Sequence, residues 1–261
     1  MPVWILFVHL FMLFLVACVE VREGQPQSTP VLITVAYSPA AGKLERALLA
    51  CQDALPELAL DLYEAPAPSP DITRFQLFFR LGSPEGWAHF AAPVAEENIL
   101  VVLHSENPIS RLTVEELQGL FSGQIKRWDQ LGGPAQPVQS WIYPLGDDTR
   151  QAFDAALWES LETSDRLYRD AYLAPGPKEM VEALEADPHA VGYLPSSWLS
   201  DALKEVEIDP QLWNALKQPV LALGAVDPEG HTRLLIGCLQ SGAGNTMIRE
   251  DYPKWTSTPS H

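Results

Sequence analysis

The chain opens on an almost unbroken apolar run, residues 3–17, that stops at Cys18 and the polar stretch VREGQPQSTP. The run is short for a membrane-spanning helix and suits the apolar region of an export signal. Past the polar stretch, strand-like and helix-like patterns alternate. VLITVAYSP predicts a buried strand ending in a turn at Ser38-Pro39. AAGKLERALLACQDALPEL places Leu44, Leu48, Leu49 and Leu55 at helical spacing. LALDLYEA, FQLFFRLG and NILVVLH predict three more strands, the last continuous and β-branched and therefore buried on both faces. A Pro-rich loop, PAPSPD, separates the first two of these. Strand–helix–strand alternation predicts a parallel α/β sheet.

A second block follows. LTVEELQGLFSG predicts a short helix opened by a capping box, Thr113 with Glu116, and closed by Gly119 or Gly123. IKRWDQLGG predicts a loop anchored by Trp128. VQSWIYPLG predicts a strand running into the loop YPLGDDTRQAF, and TRQAFDAALWESL a helix with Phe153, Ala156, Leu157 and Leu161 on one face. KEMVEALEADP predicts another helix, and HAVGYLPSSWL a strand and turn. PVLALGAV predicts a strand, and TRLLIGCLQSGAGNTMI a terminal helix in which SGAGNT is a helix-to-helix turn.

Composition narrows the function classes. With 47% apolar and 20% charged residues, the 261-residue chain is an ordinary globular protein of one or two domains. A net charge of −17, with no basic stripe, excludes nucleic acid as a partner. It also opposes long-range attraction of small anions, so an anion site must work locally. Leu15 to Cys18, LVAC, matches the bacterial lipobox, in which the cysteine becomes the lipid-modified first residue. No Lys or Arg precedes the apolar run, unlike most export signals. An uncleaved N-terminal anchor is the alternative. Both readings place the folded part outside the cytoplasm on a tether, because EGQPQSTP has linker composition. Cys51 and Cys238 lie inside apolar helical patterns, where free cysteines act as small hydrophobes; that reading is favoured over the disulfide that export permits.

Catalytic chemistry is thin. His9, His89, His104, His189, His231 and His261 are scattered without zinc spacing. There is no Gly-x-Ser-x-Gly elbow, and SGAGNT lacks the Lys and the preceding strand of a phosphate loop. The eight tryptophans are dispersed, as core or anchor residues rather than a stacking platform. The sequence implies no enzyme, no metal and no cofactor.

At LTVEELQGLFSGQIKRWDQLGG the sequence resembles the phosphate-binding, PstS-like extracytoplasmic solute-binding proteins of ABC importers. AAPVAEENILVVLHSENPISRLT is similar to their crossover into the second lobe, GDDTRQAF to their loop entering a helix, MVEALEADPHAVGYLP to their helix and Gly-Tyr strand, and LLIGCLQSGAGNTMI to their C-terminal helix. The ordered series covers roughly residues 90 to 250. The resemblance implies a two-lobe type II periplasmic-binding-protein-like fold, with mixed sheets flanked by helices and a trimmed first lobe. The expected division is a signal peptide at 1–17, a linker at 18–30, lobe one at 31–104 plus 219–261, and lobe two at 105–218. It also implies solute capture by a lipid-anchored monomer, with a small anion such as phosphate as ligand and an ABC permease as partner. A degenerate, non-transport binding or sensing lipoprotein is the alternative.

The ligand residues depart from the family pattern. Ser38 remains in the first loop, but Pro39 removes one N–H donor. The second donor loop and its helix are missing from the short YEAPAPSPDITRFQ, and the acid that would accept phosphate's proton aligns loosely with Gln76. In the third loop Tyr143 stands for an Arg, Asp147 for a Ser and Asp148 for a Gly, while Gly146 and Thr149 fit the loop. Arg150 compensates only if it turns inward; from the first helical turn it points to solvent or pairs with an acid. A carboxylate roughly 4 Å from a bound anion repels it by about 4 kcal/mol at an effective dielectric of 20. Three readings stay open: Asp148 caps the helix with Gln151 and the loop plugs itself; a cationic or hydroxyl-rich ligand binds the acids; or phosphate binding persists.

Overall fold

The computed structural model describes residues 29–65, 74–87, 89–158 and 170–252. The export signal, Cys18, most of the linker, the centre of the Pro-rich loop and Leu161 lie outside the described residues. Among the described residues the strands are β1 (Val31–Tyr37), β2 (Leu58–Glu64), β3 (Leu77–Leu81), β4 (Phe90–His104), β5 (Gln139–Ile142), β6 (Tyr172–Leu173), β7 (Ala190–Pro195), β8 (Leu203–Glu205) and β9 (Lys217–Gly224). The helices are α1 (Leu44–Ala54), α2 (Val114–Phe121), α3 (Asp148–Leu157), α4 (Pro177–Ala186), α5 (Pro210–Ala215), α6 (Gly230–Ser241) and α7 (Ala243–Asp251).

The strands form two sheets that share β4. In the first, β1 lies between β2 and β3, parallel to both, and β9 joins β3 antiparallel. The first half of β4 pairs antiparallel with β9, ending at Asn98 opposite Lys217. From Ile99 onward β4 pairs with β7, also antiparallel, and β8 joins its end. β7 continues through β5 to β6 in parallel. The sheets are therefore mixed, not parallel throughout. The chain changes sheets at Asn98–Ile99 and returns by Lys217, so residues 99–104 pair within the second sheet. The alanine-rich, half-exposed FAAPVAEE part of β4, interrupted by Pro93, hides this strand's length; a register shift between Pro93 and Ala95 accommodates the proline.

Each sheet has its own core. Ile33, Val35, Leu44, Leu48, Leu77, Phe79, Leu235 and Leu239 fill the first, and Leu103, Leu117, Phe121, Trp128, Phe153, Tyr193 and Leu194 fill the second. α1 buries Leu44, Ala47, Leu48 and Cys51, the i, i+3, i+4, i+7 face, and leaves Leu49 outside. α2 starts with the predicted box: Glu116 N–H donates to Thr113 Oγ1 at 3.2 Å, and Thr113 N–H to Glu116 Oε2 at 2.8 Å. Trp128 is fully buried and its indole N–H donates to the His189 carbonyl at 2.9 Å. α4 sits so close on β7 that a Cβ at Gly192 would lie 2.7 Å from Met180 Sδ. The terminal helix is broken at Gly242 into α6 and α7.

Cys51 and Cys238 are not free. They form a disulfide between α1 and α6, joining residues 187 apart in sequence. The apolar periodicity around both suits a buried half-cystine as well as a buried thiol, and only the packing of α1 on α6 distinguishes them. Among the described residues, no helix is long and apolar enough to cross a membrane.

Candidate functional site

The C-terminal ends of β1 and β3 face the N-terminus of α3 across the two lobes. Gly146, with φ +90°, permits the turn in which Asp147 N–H reaches the Pro144 carbonyl at 3.2 Å. Asp147 is the helix cap: its carboxylate accepts the Arg150 N–H at 3.0 Å. The cap is thus one residue earlier than the Asp148–Gln151 box expected from sequence. That shift releases Asp148 from capping.

Asp148 crosses to the other lobe instead. Its Oδ2 accepts the Ser38 hydroxyl at 2.6 Å and the Leu81 N–H at 2.8 Å, while Oδ1 accepts its neighbour Thr149's N–H at 3.1 Å. Asp148 is 1% exposed and Ser38 and Thr149 are fully buried. Gln151, not part of a box, accepts from Arg80 Nη2 at 2.8 Å and donates to the Gly146 carbonyl at 3.2 Å. The Asp148 carboxylate therefore collects donors from both lobes, on a helix N-terminus whose partial positive charge favours it.

The other predicted residues divide. Arg150 is buried, donates to the Tyr143 carbonyl at 2.7 Å, and pairs with Asp154 at 3.4 Å. Tyr143 is a core residue, fully buried and edge-on to Tyr193 at 5.4 Å. Gln76 does not reach the cluster: it is exposed at the start of β3 and accepts the Thr34 N–H at 2.8 Å, while Leu81 at the other end of that strand meets Asp148. The rise per strand residue puts about 16 Å between those ends. The site therefore contains no counterpart to a proton-accepting acid at position 76.

Burial dominates the electrostatics. Asp147 is pushed up to about 7 by burial and then by the Asp148 charge, against the hydrogen bonds from Arg150 and Thr149. Burial also raises Asp148, opposed by Ser38, Leu81 and Arg80. Two buried carboxyls on neighbouring residues influence each other, so the charge of one raises the other. The Ser38 and Leu81 donors and the Arg80 charge favour the negative form of Asp148 against that burial. Arg80 is lowered by burial and supported by Asp148 and Asp147.

Sequence reasoning missed Arg80, Leu81 and a second interlobe carboxylate, Glu97. Arg80 was visible as the one charge in FQLFFRLG. Glu97, in the crossover part of β4, is 1% exposed; it accepts from the Ser196 hydroxyl, from Ser197 N–H at 3.3 Å and from Asn98 N–H at 3.0 Å. Burial raises it. Nearby, the Trp198 indole donates to the Ala40 carbonyl at 3.4 Å, with Lys43 Nζ 4.4 Å over its ring. No group of three or more His, Cys, Asp or Glu is placed to hold a metal among the described residues.

Two α/β lobes joined by antiparallel crossovers, meeting where strand ends and a helix N-terminus converge, define a periplasmic-binding-protein-type molecule. The sequence profile of the PBP superfamily domain matches residues 76–236, and the chain belongs to that superfamily. It is 28% identical over 109 residues to the phosphate-binding protein PstS of Bacillus subtilis (strain 168), covering 41% of this chain and 34% of PstS. The match thus spans about a third of that relative. The fold is similar to a Clostridium perfringens protein assigned as a phosphate ABC transporter substrate-binding protein and solved with bound phosphate, at TM-score 0.76 and 18% identity over 85% of this chain and 98% of that one. An ABC-type phosphate transport receptor from Vibrio cholerae matches at TM-score 0.66 and 19% identity, over 84% and 98%.

Proposed function

We propose that this protein is an exported, lipid-anchored solute-binding-type protein whose phosphate position is filled by its own Asp148. The observation that carries this reading is the Asp148 carboxylate on Ser38, Leu81 and Thr149. Each charge-assisted bond of this kind is worth about 1.5–3 kcal/mol, against about 8 kcal/mol for micromolar binding. A tethered carboxylate also competes at an effective concentration of about millimolar or above, so micromolar phosphate does not displace it. With its lobes held by an internal anion, the protein acts as a non-transport binding or sensing lipoprotein. The Cys51–Cys238 disulfide supports placement in an oxidising, extracytoplasmic compartment, and the LVAC motif supports the anchor at Cys18.

Solute capture for an ABC importer is the second reading, favoured by the retained Ser38, Gly146 and Thr149 at the interlobe helix start. Calorimetry with inorganic phosphate separates the two. No binding heat is expected, and micromolar binding would contradict the self-filled site. The double change Asp147→Ser and Asp148→Gly is expected to restore binding; Tyr143, packed in the core, is left in place.

A further inference from the structure

Arg80 is 4% exposed, yet its guanidinium is only partly used. Nε donates to the Leu81 carbonyl at 3.1 Å and Nη2 to Gln151 at 2.8 Å. Nη1 has no acceptor among the described residues, and no carboxylate there lies within ion-pair distance of Arg80. A buried cation with spare donors is costly unless an acceptor meets it. Arg80 lines an interlobe cleft of about 320 Å³ that opens to solvent beside Asp148. One wall is methyl groups: Ala152, Ala155 and Ala156 of α3, with Ala215 of α5 opposite. Ser83 and Gln218 add polar groups to the lining.

We propose that this cleft binds a short-chain aliphatic carboxylate, with the carboxylate on Arg80 Nη1 and the alkyl chain along the alanine wall. The site adjoins the Ser38–Asp148 contact, with Leu81 and Asp148 in its lining, but is centred on Arg80 and stands whether or not Asp148 excludes phosphate. One guanidinium edge matches one monoanionic carboxylate. Asp148 in the lining repels any anion, but a dianionic phosphate about twice as strongly as a monocarboxylate, and phosphate would gain nothing from the alanines. A neutral amide would use the wall but give Nη1 no charged acceptor.

The test is calorimetry on the purified protein with acetate, butyrate, hexanoate, hexanamide and inorganic phosphate. Affinity is expected to rise about fourfold per added methylene along the carboxylates. Hexanamide is expected to bind at least about tenfold more weakly than hexanoate, since it gives up the charge-assisted contact. Phosphate is expected not to displace hexanoate. Arg80→Met removes the binding. Because Arg80 is buried and its loss can unfold the chain, Ala155→Phe serves as a second variant: Ala155 is exposed, and the added ring fills the cleft while the melting transition is kept. No heat with any carboxylate, equal binding of hexanamide, displacement by phosphate, or hexanoate binding that survives Ala155→Phe would each overturn the assignment. Phosphate heat without hexanoate competition leaves this site standing and contradicts only the self-filled site.

Discussion

Two buried carboxylates tie the lobes together, and they do so in opposite directions. Glu97 comes from lobe one and is held by Ser196 and Ser197 of lobe two. Asp148 comes from lobe two and is held by Ser38 and Leu81 of lobe one. Both are 1% exposed, and burial raises both. Their positions differ. Glu97 lies on the crossover strand itself, where the sheets join, and its partners are one strand away. Asp148 lies across the gap, where opening exposes its partners. Similar chemistry therefore makes a fixed joint in one place and a releasable clasp in the other.

The largest expected effect is at the joint. Glu97→Ala leaves the Ser196 hydroxyl and two backbone N–H groups without an acceptor in a place water does not reach. It should destabilise the protein by about 3 kcal/mol in urea titration, after allowing for the desolvation cost that the removed carboxyl no longer imposes. Asp148→Ala should cost less, about 1–2 kcal/mol, because the lobes part and water takes up the Ser38 and Leu81 donors. Equal losses for the two variants would erase the distinction between joint and clasp.

A smaller, pH-dependent effect sharpens the comparison. Asp147 sits at about 7 in the folded protein and near 3.9 when unfolded. Between those values the native state holds a proton that the unfolded chain has lost. Its contribution is therefore fully present below about pH 4, falls as pH rises towards 7, and is flat above. The urea midpoint should drop between about pH 5 and about pH 7.5, and Asp147→Asn should flatten that drop. Glu97, raised in the same sense, leaves a residual slope. A midpoint that climbs with pH, or one indifferent to Asp147→Asn, would mean that burial does not raise Asp147.

Much of this was legible in sequence because short-range patterns carry it. The capping box at Thr113, the Trp128 anchor and the strand of all-buried β7 follow from local periodicity and side-chain chemistry. What escaped depended on distant partners. β4 reads as a short buried strand because its first half is small residues broken by Pro93, without strand-like alternation, and its antiparallel pairing needs β9 from over a hundred residues later. The Cys51–Cys238 bond depends on α1 meeting α6. At the site, the two aspartates were flagged, but their roles turned on a one-residue shift of the helix cap. Local spacing allowed Asp147 or Asp148 to cap; Ser38 and Leu81, 110 and 67 positions away, decided it.

The central claim is that Asp148 holds the lobes together in place of a ligand. Small-angle X-ray scattering of the ligand-free protein, with and without millimolar phosphate, tests it most directly. The account predicts a compact profile that phosphate leaves unchanged, and an expanded one for Asp148→Ala. A wild-type protein that is extended alone and contracts on adding phosphate would contradict it.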